Sequence, residues 1–261
     1  MNKKASRENY LLSMLSSTGR ITTSEAVELL DISEATARRM FSNLEKSGKI
    51  IRNYGGVQLA GRSADYSFET SQKQFQTEKC RIGRLSASFV EDGDTIYLDC
   101  GTTLFQMTLA LSARIADRAF ASLNIITNSI ANVRALGSAP GCRVILVGGE
   151  YNSRRRDFSG PLTEKYVEPF HFSKCFLGTD GLTERMGFSS NQFDISSLNT
   201  RVMERSDRIF ILLDSSKYDR CSLVSYAGLG EANAIVSDAR PGDALSAALS
   251  DAGVEVFVAE G

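Results

Sequence analysis

The chain has 261 residues, 42% of them hydrophobic, and its 30 basic and 31 acidic side chains nearly cancel to a net charge of −1. Such a composition fits one large globular domain or two unequal ones and excludes collagen, coiled-coil and disordered classes. The longest strongly apolar run, residues 209–213, is far shorter than the roughly 20 residues of a membrane-spanning helix, so no membrane partner is expected. Polar residues at Glu8, Asn9 and Ser13 interrupt the start of the chain, unlike a signal peptide, so the expected localisation is cytoplasmic.

The cysteine and histidine pattern gives little support for metal or thiol chemistry. The five cysteines are scattered without a CxxC pair, and His171 is the single histidine. Structural zinc sites need close Cys and His pairs, whereas scattered reduced thiols suit a cytosolic protein. We expect no metal, no cofactor and unreactive buried cysteines, with His171 an ordinary packed or surface residue.

The charge is divided unevenly along the chain. Residues 1–60 hold nine Lys and Arg against six Asp and Glu, a net charge of +3, while the remainder carries −4. A small basic module on a mildly acidic body favours a nucleic-acid partner at the amino-terminal end.

The first sixty residues predict three short helices. Residues 9–16 place Tyr10, Leu11, Met14 and Leu15 on one stripe of an amphipathic helix. A second helix, capped by Thr23 or Ser24, would turn its apolar residues inward before a turn at Asp31 and Ile32; these inward residues are Ala26, Val27, Leu29 and Leu30.

The third predicted helix starts on Ser33 as N-cap, runs to about Ser47 and ends on Gly48. Its inner face carries Ala37, Met40, Phe41 and Leu44. Two helices joined by so short a turn are typical of a helix-turn-helix, whose second helix reads the major groove. The exposed polar face suits base and phosphate contacts, although it could equally be a solvated helix face.

A β-hairpin is predicted directly after this helix, over residues 49–59, which completes the plan of a winged helix. Residues 33–39 (SEATARR) and 44–56 (LEKSGKIIRNYGG) resemble the DeoR-type winged-helix domain of bacterial transcriptional regulators. One departure is Met40, where the family usually has Asp, followed by Phe41 in place of Leu. The predicted contacts to double-stranded DNA are Ser33, Glu34, Thr36, Arg38, Arg39, Asn43, Arg52, Asn53 and Tyr54.

From about residue 75 short apolar runs alternate with helix-length spacers. The predicted strands are residues 95–98, 124–126, 144–147, 174–177, 209–213, 234–236 and 254–258. This alternation predicts an α/β domain with a largely parallel sheet, in which ligands bind at the carboxyl ends of the strands.

Small and hydroxylated residues follow five of these strands, at 99–103, 127–129, 148–149, 178–181 and 214–217. Backbone N–H groups, hydroxyls and the ammonium group of Lys217 suit a phosphorylated ligand, and Asp99, Asn128 and Asp180 could meet sugar hydroxyls. Each segment alone could be an ordinary strand-to-helix turn.

In this order, the five segments and Ser159-Gly160 resemble the DeoR C-terminal sensor domain. The resemblance implies a fold shared with ribose-5-phosphate isomerase and CoA transferases, used to sense a phosphorylated sugar or related metabolite. The predicted effector-binding residues are Asp99, Gly101, Thr102, Thr103, Thr127, Asn128, Ser129, Gly148, Gly149, Asp180, Gly181 and Lys217. Cys100, where members usually have Ser or Ala, would fill space behind the phosphate loop.

The predicted organisation is a DNA-binding domain at residues 1–58, a linker at 59–74 and an effector domain at 75–261. Arg154-Arg155-Arg156 is interpreted as a solvated loop that could close over a phosphate, and it stays outside the core site. Effector binding would act through the linker.

The leading hypothesis is a transcriptional regulator of carbohydrate metabolism genes, a repressor that assembles as a dimer or tetramer and has no catalytic residues. One alternative is a sugar-phosphate isomerase or CoA-transferase-like enzyme on the same sheet, with Asp99, Asp180 or Asp214 as base. Another is an architectural DNA-binding protein whose sensor has decayed.

Overall fold

The structure is a computed structural model that describes residues 7, 8, 10–12, 14, 15, 21–46, 50–53, 56–59, 66–137 and 141–260, with the backbone alone at 46, 51–53, 58 and 59. Contacts divide the chain into two compact units. The first comprises Met1–Tyr66 with Arg220–Ser222, and the second Ser67–Asp219 with Leu223–Gly261. The division falls inside the predicted linker, of which residues 60–65 lie outside the described residues.

The first unit is a winged helix-turn-helix, as predicted. Its elements are β1 (Ile21–Thr22), α1 (Thr23–Leu30), α2 (Glu34–Lys46), β2 (Ile50–Asn53) and β3 (Gly56–Leu59). The strands form an antiparallel sheet in the order β1-β3-β2, with β2 and β3 as the predicted hairpin. Described residues between 7 and 15 are helical, with Leu11 and Leu15 buried but Tyr10 half exposed.

The two helices of the motif begin and end on local signals. Thr22, one residue before the predicted cap, accepts a hydrogen bond from the Glu25 N–H group through its side chain, and the Thr22 N–H group donates one to the Glu25 carboxylate. This reciprocal capping box satisfies two N–H groups that a helix start leaves open. Asp31 ends α1 in a left-handed conformation, and Ala37, Met40, Phe41 and Leu44 of α2 are buried as predicted. The predicted exit at Gly48 lies outside the described residues.

The second unit is built on a seven-stranded parallel sheet whose members are the seven predicted strands, with shifted ends. They are β4 (Thr95–Leu98), β5 (Leu123–Thr127), β6 (Cys142–Leu146), β9 (Phe172–Gly178), β12 (Ser206–Leu212), β14 (Ala234–Ser237) and β15 (Glu255–Val258). The order across the sheet is β15-β14-β12-β9-β4-β5-β6, and every neighbouring pair is parallel. The chain therefore builds outward from β4 to β6 and then returns to β9 on the other side of β4.

Helices and two small sheets surround this sheet. The helices are α3 (Phe68–Lys73), α4 (Gln76–Ser88), α5 (Thr102–Ala116), α6 (Ile130–Leu136), α7 (Pro161–Val167), α8 (Phe193–Met203) and α9 (Asp243–Asp251). The additional strands are the hairpin β7 (Glu150–Asn152) and β8 (Asp157–Ser159), and the antiparallel set β10 (Gly181–Thr183), β11 (Gly187–Ser190) and β13 (Val224–Ala227). Single 3₁₀ turns occupy Ser215–Lys217 and Leu229–Glu231.

Alternating strand residues divide the apolar core between the two faces of the sheet. Tyr97 and Leu177 belong to one cluster, with α8 and α9, whereas Leu98 and Phe176 belong to the other, with α4 and α5. Both faces are covered, which explains why the strands read as nearly continuous hydrophobic runs.

Candidate functional site

Helix α2 starts on Ser33. Its Oγ accepts a hydrogen bond from the Thr36 N–H group at 3.3 Å, and the two hydroxyl oxygens lie 2.9 Å apart. The cap fixes the first turn, where backbone N–H groups favour a phosphate. Ser33, Glu34, Arg38, Arg39 and Asn43 are exposed and Thr36 is half-buried.

A carboxylate orients Arg38, although Met40 replaces the usual Asp. Arg38 donates from Nε to Glu34 Oε1 at 2.9 Å, one turn earlier on the helix, and both side chains are about 60% exposed. Met40 lies in the core, 5% exposed. Of the predicted wing contacts, Arg52 and Asn53 lie in β2 at the turn to β3, and Tyr54 lies outside the described residues.

The five predicted effector segments all lie at the carboxyl edge of the parallel sheet, because each follows a strand of that sheet. The direction of chain growth reverses between β4 and β9, which is the topological switch point where ligands of such sheets bind. Asp99 spans this point: Oδ1 accepts from the Cys100 N–H group at 2.7 Å and Oδ2 from the Gly178 N–H group at 3.1 Å. Burial raises the pKa of Asp99 to about 6, against these two bonds and the charge of Arg155, which lower it.

The loop after β4 leads into the N-terminus of α5. Gly101 stands at its N-cap with φ +107°, a conformation that side chains rarely adopt. Thr102 and Thr103 form the first turn and are mostly buried, at 6% and 8% exposure. The helix N-terminus and the two hydroxyls form a surface suited to an anion.

The residues after β5 hydrogen bond mainly to their surroundings. Thr127 Oγ1 accepts from the Ser129 N–H group and from Asn132 Nδ2, both at 3.1 Å, and Ser129 caps α6. Asn128 donates to the Phe158 carbonyl at 3.0 Å, while its Oδ1 is buried with no hydrogen-bond partner among the described residues. Asn132 also donates to the Asp99 carbonyl, so it joins the loops after β4 and β5, a contact that the sequence did not predict.

The glycine pair after β6 packs against α7. A Cβ on Gly149 would lie 1.9 Å from Thr163 Oγ1 and 2.8 Å from the Ser159 carbonyl, so a side chain cannot be accommodated without a shift. Thr163 donates to the Gly148 carbonyl at 2.9 Å. These two glycines thus position the loop.

Asp180, after β9, accepts hydrogen bonds from Ser190 Oγ at 3.2 Å and from the Asn191 N–H group at 2.9 Å. Gly181 begins β10, and both its carbonyl and N–H group bond Thr179 Oγ1. This loop is braced by the small antiparallel sheet.

Lys217 ends the 3₁₀ turn after β12 and is half-buried. Asp214 caps that turn, and Asp238 accepts from the Ser215 N–H group at 2.7 Å.

Lys79, a second lysine that is absent from the predicted site, lies close enough to Asp214 and Lys217 for their charges to affect its pKa. Burial lowers the pKa of Lys79, with the Asp214 carboxylate opposing this shift and the Lys217 charge adding to it. Lys79 on α4 is 5% exposed and donates to the Ser71 and Gln74 carbonyls, both at 2.8 Å.

Arg155, left outside the predicted site, reaches the loop after β4. Its Nε donates to Asp157 Oδ2 at 2.9 Å, and its Nη2 lies 3.6 Å from Cys100 Sγ. Cys100 itself is buried, and burial raises its pKa well above the ordinary value. The charge run that predicted a solvated loop therefore contains one side chain turned inward.

The described part of the chain offers neither a metal site nor a membrane-spanning helix. No group of three or more His, Cys, Asp or Glu side chains there could hold a metal ion. Nor does any helix there have the length and apolar character needed to cross a membrane.

Comparison with known families matches both units. Residues 7–62 match the DeoR-like helix-turn-helix domain, and residues 74–239 match the DeoR C terminal sensor domain.

Similar curated proteins align over nearly the whole chain. The HTH-type transcriptional repressor GlcR of Bacillus subtilis is 30% identical over 96% of this chain and 94% of its own length. The lactose phosphotransferase system repressor of Lactococcus lactis is 31% identical over 91% of this chain and 92% of its own length. The glycerol-3-phosphate regulon repressor of Escherichia coli is 28% identical over 95% of this chain and 96% of its own length. Among solved structures, ribose 5-phosphate isomerase A of Methanocaldococcus jannaschii is 16% identical with a TM-score of 0.41, covering 56% of this chain and 55% of that one.

Proposed function

The chain belongs to the DeoR family of transcriptional regulators, and from this premise we propose that it represses carbohydrate metabolism genes under the control of a phosphorylated sugar. It is a DNA-binding regulator rather than the isomerase or CoA transferase considered as the alternative. Regulators of chromosomal genes act in the cytoplasm, where we expect this one.

The effector site is proposed at the carboxyl edge of the parallel sheet. The observation that carries the proposal is that the N-terminus of α5 at Gly101 and the turn that ends at Lys217 both follow strands of the sheet at this edge, with Lys79 close enough to Lys217 for their charges to interact. A phosphate group would find oriented N–H groups and positive charge there. The buried contacts of Thr127 and Ser129 suggest that these two residues hold the site's shape, with Thr102, Thr103 and Asp180 nearer the ligand.

The relatives' names support a phosphorylated carbohydrate as effector. One relative is named for a lactose phosphotransferase system and another for glycerol 3-phosphate. We infer the same chemical class for this chain, because the proposed site offers N–H groups and ammonium groups to an anion.

DNA recognition is proposed for the exposed face of α2. Arg38, held by Glu34, and Arg39 can donate two hydrogen bonds to guanine, and Thr36 can meet a base edge. Arg52, Asn53 and Tyr54 of the wing would contact the phosphate backbone. Since half-sites on DNA repeat by helical turns, we propose at least a dimer.

The test is DNA binding by the full chain with and without sugar phosphates. An operator is selected from random duplexes, and its affinity is measured with glucose 6-phosphate, ribose 5-phosphate and glycerol 3-phosphate. Wild type should change its DNA affinity with at least one of them, by roughly 5–150-fold for a typical allosteric coupling.

Two variants separate the sites. Arg38→Ala should weaken DNA binding and leave sugar-phosphate binding intact, whereas Lys217→Ala should abolish the response and leave DNA binding intact. Lys165→Ala, on the exposed surface of α7, is the control for loss of a lysine charge. A Lys217→Ala variant that responds like wild type would show that the anion site is misplaced.

A further inference from the structure

The tip of the β7–β8 hairpin contacts two different parts of the second unit. It consists of residues 153–156, including the three consecutive arginines that the sequence analysis left outside the site. Arg155 turns inward, with its side chain only 11% exposed, and reaches Asp157 and Cys100. Its neighbours on either side contact α3 instead.

The turn itself is tightly fixed. Asn152 Oδ1 accepts from the N–H groups of Arg154 and Arg155 at 3.1 and 3.2 Å, and the Asn152 carbonyl accepts from the Arg156 N–H group at 2.7 Å. Arg156 adopts a positive φ of 60°. These hydrogen bonds and this φ value fix the backbone of the tip, so that Arg154, Arg155 and Arg156 are held in one turn.

The outward contacts hold the start of α3. The Phe68 N–H group donates to the Arg154 carbonyl at 2.9 Å. The Arg156 guanidinium pairs with the Glu69 carboxylate and lies 5.0 Å from the centre of the Phe68 ring. Phe68 is fully buried against Phe105 of α5, so α3 is an ordered element at the point where the chain enters the second unit.

The inward contact between Arg155 and Cys100 is a weak one. Cys100 Sγ is a weak acceptor for a guanidinium group, and it belongs to the loop that leads into the N-terminus of α5. A phosphate bound at Gly101–Thr103 would offer a charged acceptor to the same guanidinium group, with roughly twice the strength of a neutral hydrogen bond. Asp157, whose Oδ1 has no partner within the described residues, would keep Arg155 Nε in place.

We propose that Arg155 binds the anionic group of the effector, and that the hairpin tip passes occupancy of the site to α3 through Arg154 and Arg156. This inference rests on the proposed function, because it assigns a further ligand to the same site. It also assigns α3, within the predicted linker, as the element that receives the signal.

The experiment compares three arginine-to-glutamine variants of the full chain, with glucose 6-phosphate, ribose 5-phosphate and glycerol 3-phosphate as probes. Arg155→Gln should bind the responsive probe about 10- to 100-fold more weakly, the range for losing a hydrogen bond between charged groups. Arg156→Gln should bind that probe within about twofold of wild type, yet lose most of the change in DNA affinity. Arg185→Gln, exposed in the turn between β10 and β11, should match wild type in both measurements.

The outcomes separate this inference from the proposed function. A wild type that binds none of the probes would contradict both. If wild type responds and Arg155→Gln binds the probe equally well, Arg155 has no binding role; a full response in Arg156→Gln would exclude coupling through the tip. Should Arg155→Gln melt early, Arg155→Lys keeps the charge but loses the two-pronged geometry, and it should still bind more weakly than wild type.

Discussion

The two edges of the parallel sheet differ in how their buried polar groups are paired. At the amino edge, Lys174 Nζ donates to Glu91 at 2.5 Å and to Asp94 at 2.8 Å, while Ser173 donates to the other Asp94 oxygen at 2.7 Å. At the carboxyl edge, several buried oxygen atoms have no hydrogen-bond partner among the described residues, and they include Asn128 Oδ1, Asn132 Oδ1, Asp157 Oδ1 and Asp214 Oδ2. At the amino edge the buried pair of Lys174 and Asp94 forms a closed network, whereas these oxygen atoms at the carboxyl edge can still accept a hydrogen bond.

This difference fits the proposal that the amino edge has a structural role and the carboxyl edge a binding role. Buried polar groups that pair with one another stabilise a fold, whereas buried groups left unpaired cost free energy and persist where a ligand or water completes them. We therefore expect amino-edge substitutions to lower stability without changing the response to sugar phosphates, and carboxyl-edge substitutions to change the response.

The largest effect is expected for Lys174→Met at the amino edge. Removing the ammonium group leaves the buried Asp94 carboxylate without its positively charged partner, which typically costs about 3–5 kcal/mol in the free energy of unfolding. Urea unfolding measures the loss, and the folded fraction should respond to sugar phosphate like wild type. Lys165→Met on the surface should change stability by less than about 0.5 kcal/mol. Equal losses in the two variants would contradict a closed network at the amino edge.

The second effect concerns the pH dependence of stability at Asp99. Because its folded pKa is about 6 against an ordinary 3.8, the native state holds the proton more tightly than the unfolded chain. The free energy of unfolding of wild type should therefore fall as pH rises from about 4 to 6, by up to about 3 kcal/mol relative to Asp99→Asn, which does not titrate. Urea unfolding of both proteins between about pH 4 and pH 7 measures this change.

Asp92 at the amino edge should give a pH dependence of stability with the opposite sign. Hydrogen bonds from the N–H groups of Ser122 and Ala121 lower its pKa, so its contribution to stability is present above pH 3.8 and lost as pH falls. Asp92→Asn should therefore be destabilised most at neutral pH. For the Asp99 prediction, the contradicting outcome is that wild type and Asp99→Asn have the same pH profile of stability. This would show that Asp99 ionises normally in the folded state.

The third prediction compares two adjacent glycines. Gly149→Ala should destabilise the chain by about 1–3 kcal/mol, since the new Cβ overlaps Thr163 and the Ser159 carbonyl. Gly148→Ala meets no atom within 4 Å and should be neutral or slightly stabilising, by up to about 1 kcal/mol. Thermal unfolding of the two variants shows whether Gly149 is needed for close packing or only for backbone flexibility. If only the backbone flexibility of glycine mattered, the two substitutions would change stability by similar amounts.

The sheet, and the edge at which its loops come together, could be predicted because their signals are local. Runs such as residues 209–213 are apolar on both strand faces, and a parallel sheet brings all the following loops to one edge. The hairpin β7–β8 was missed since Glu150–Asn152 is short, polar and exposed. Nor could the burial of Lys79 and Arg155 be predicted, because their partners are carbonyls and side chains brought together only by folding. Thr22 was missed because Thr23 and Ser24 offer equally good capping chemistry.

The smallest effect is expected for the ion pair of Glu34 and Arg38 on α2, which is exposed, unlike the buried pair of Lys174 and Asp94. Both side chains are in solvent, so Glu34→Gln should lower the free energy of unfolding by only about 0.3–0.5 kcal/mol, far less than Lys174→Met. Glu45→Gln on the same helix, also exposed, is the matched control for loss of a carboxylate. High-precision urea unfolding at low and high salt would detect the difference, which salt should diminish. A loss above about 2 kcal/mol, persisting in salt, would place Glu34 in a buried network and withdraw Arg38 from the proposed DNA-contacting surface.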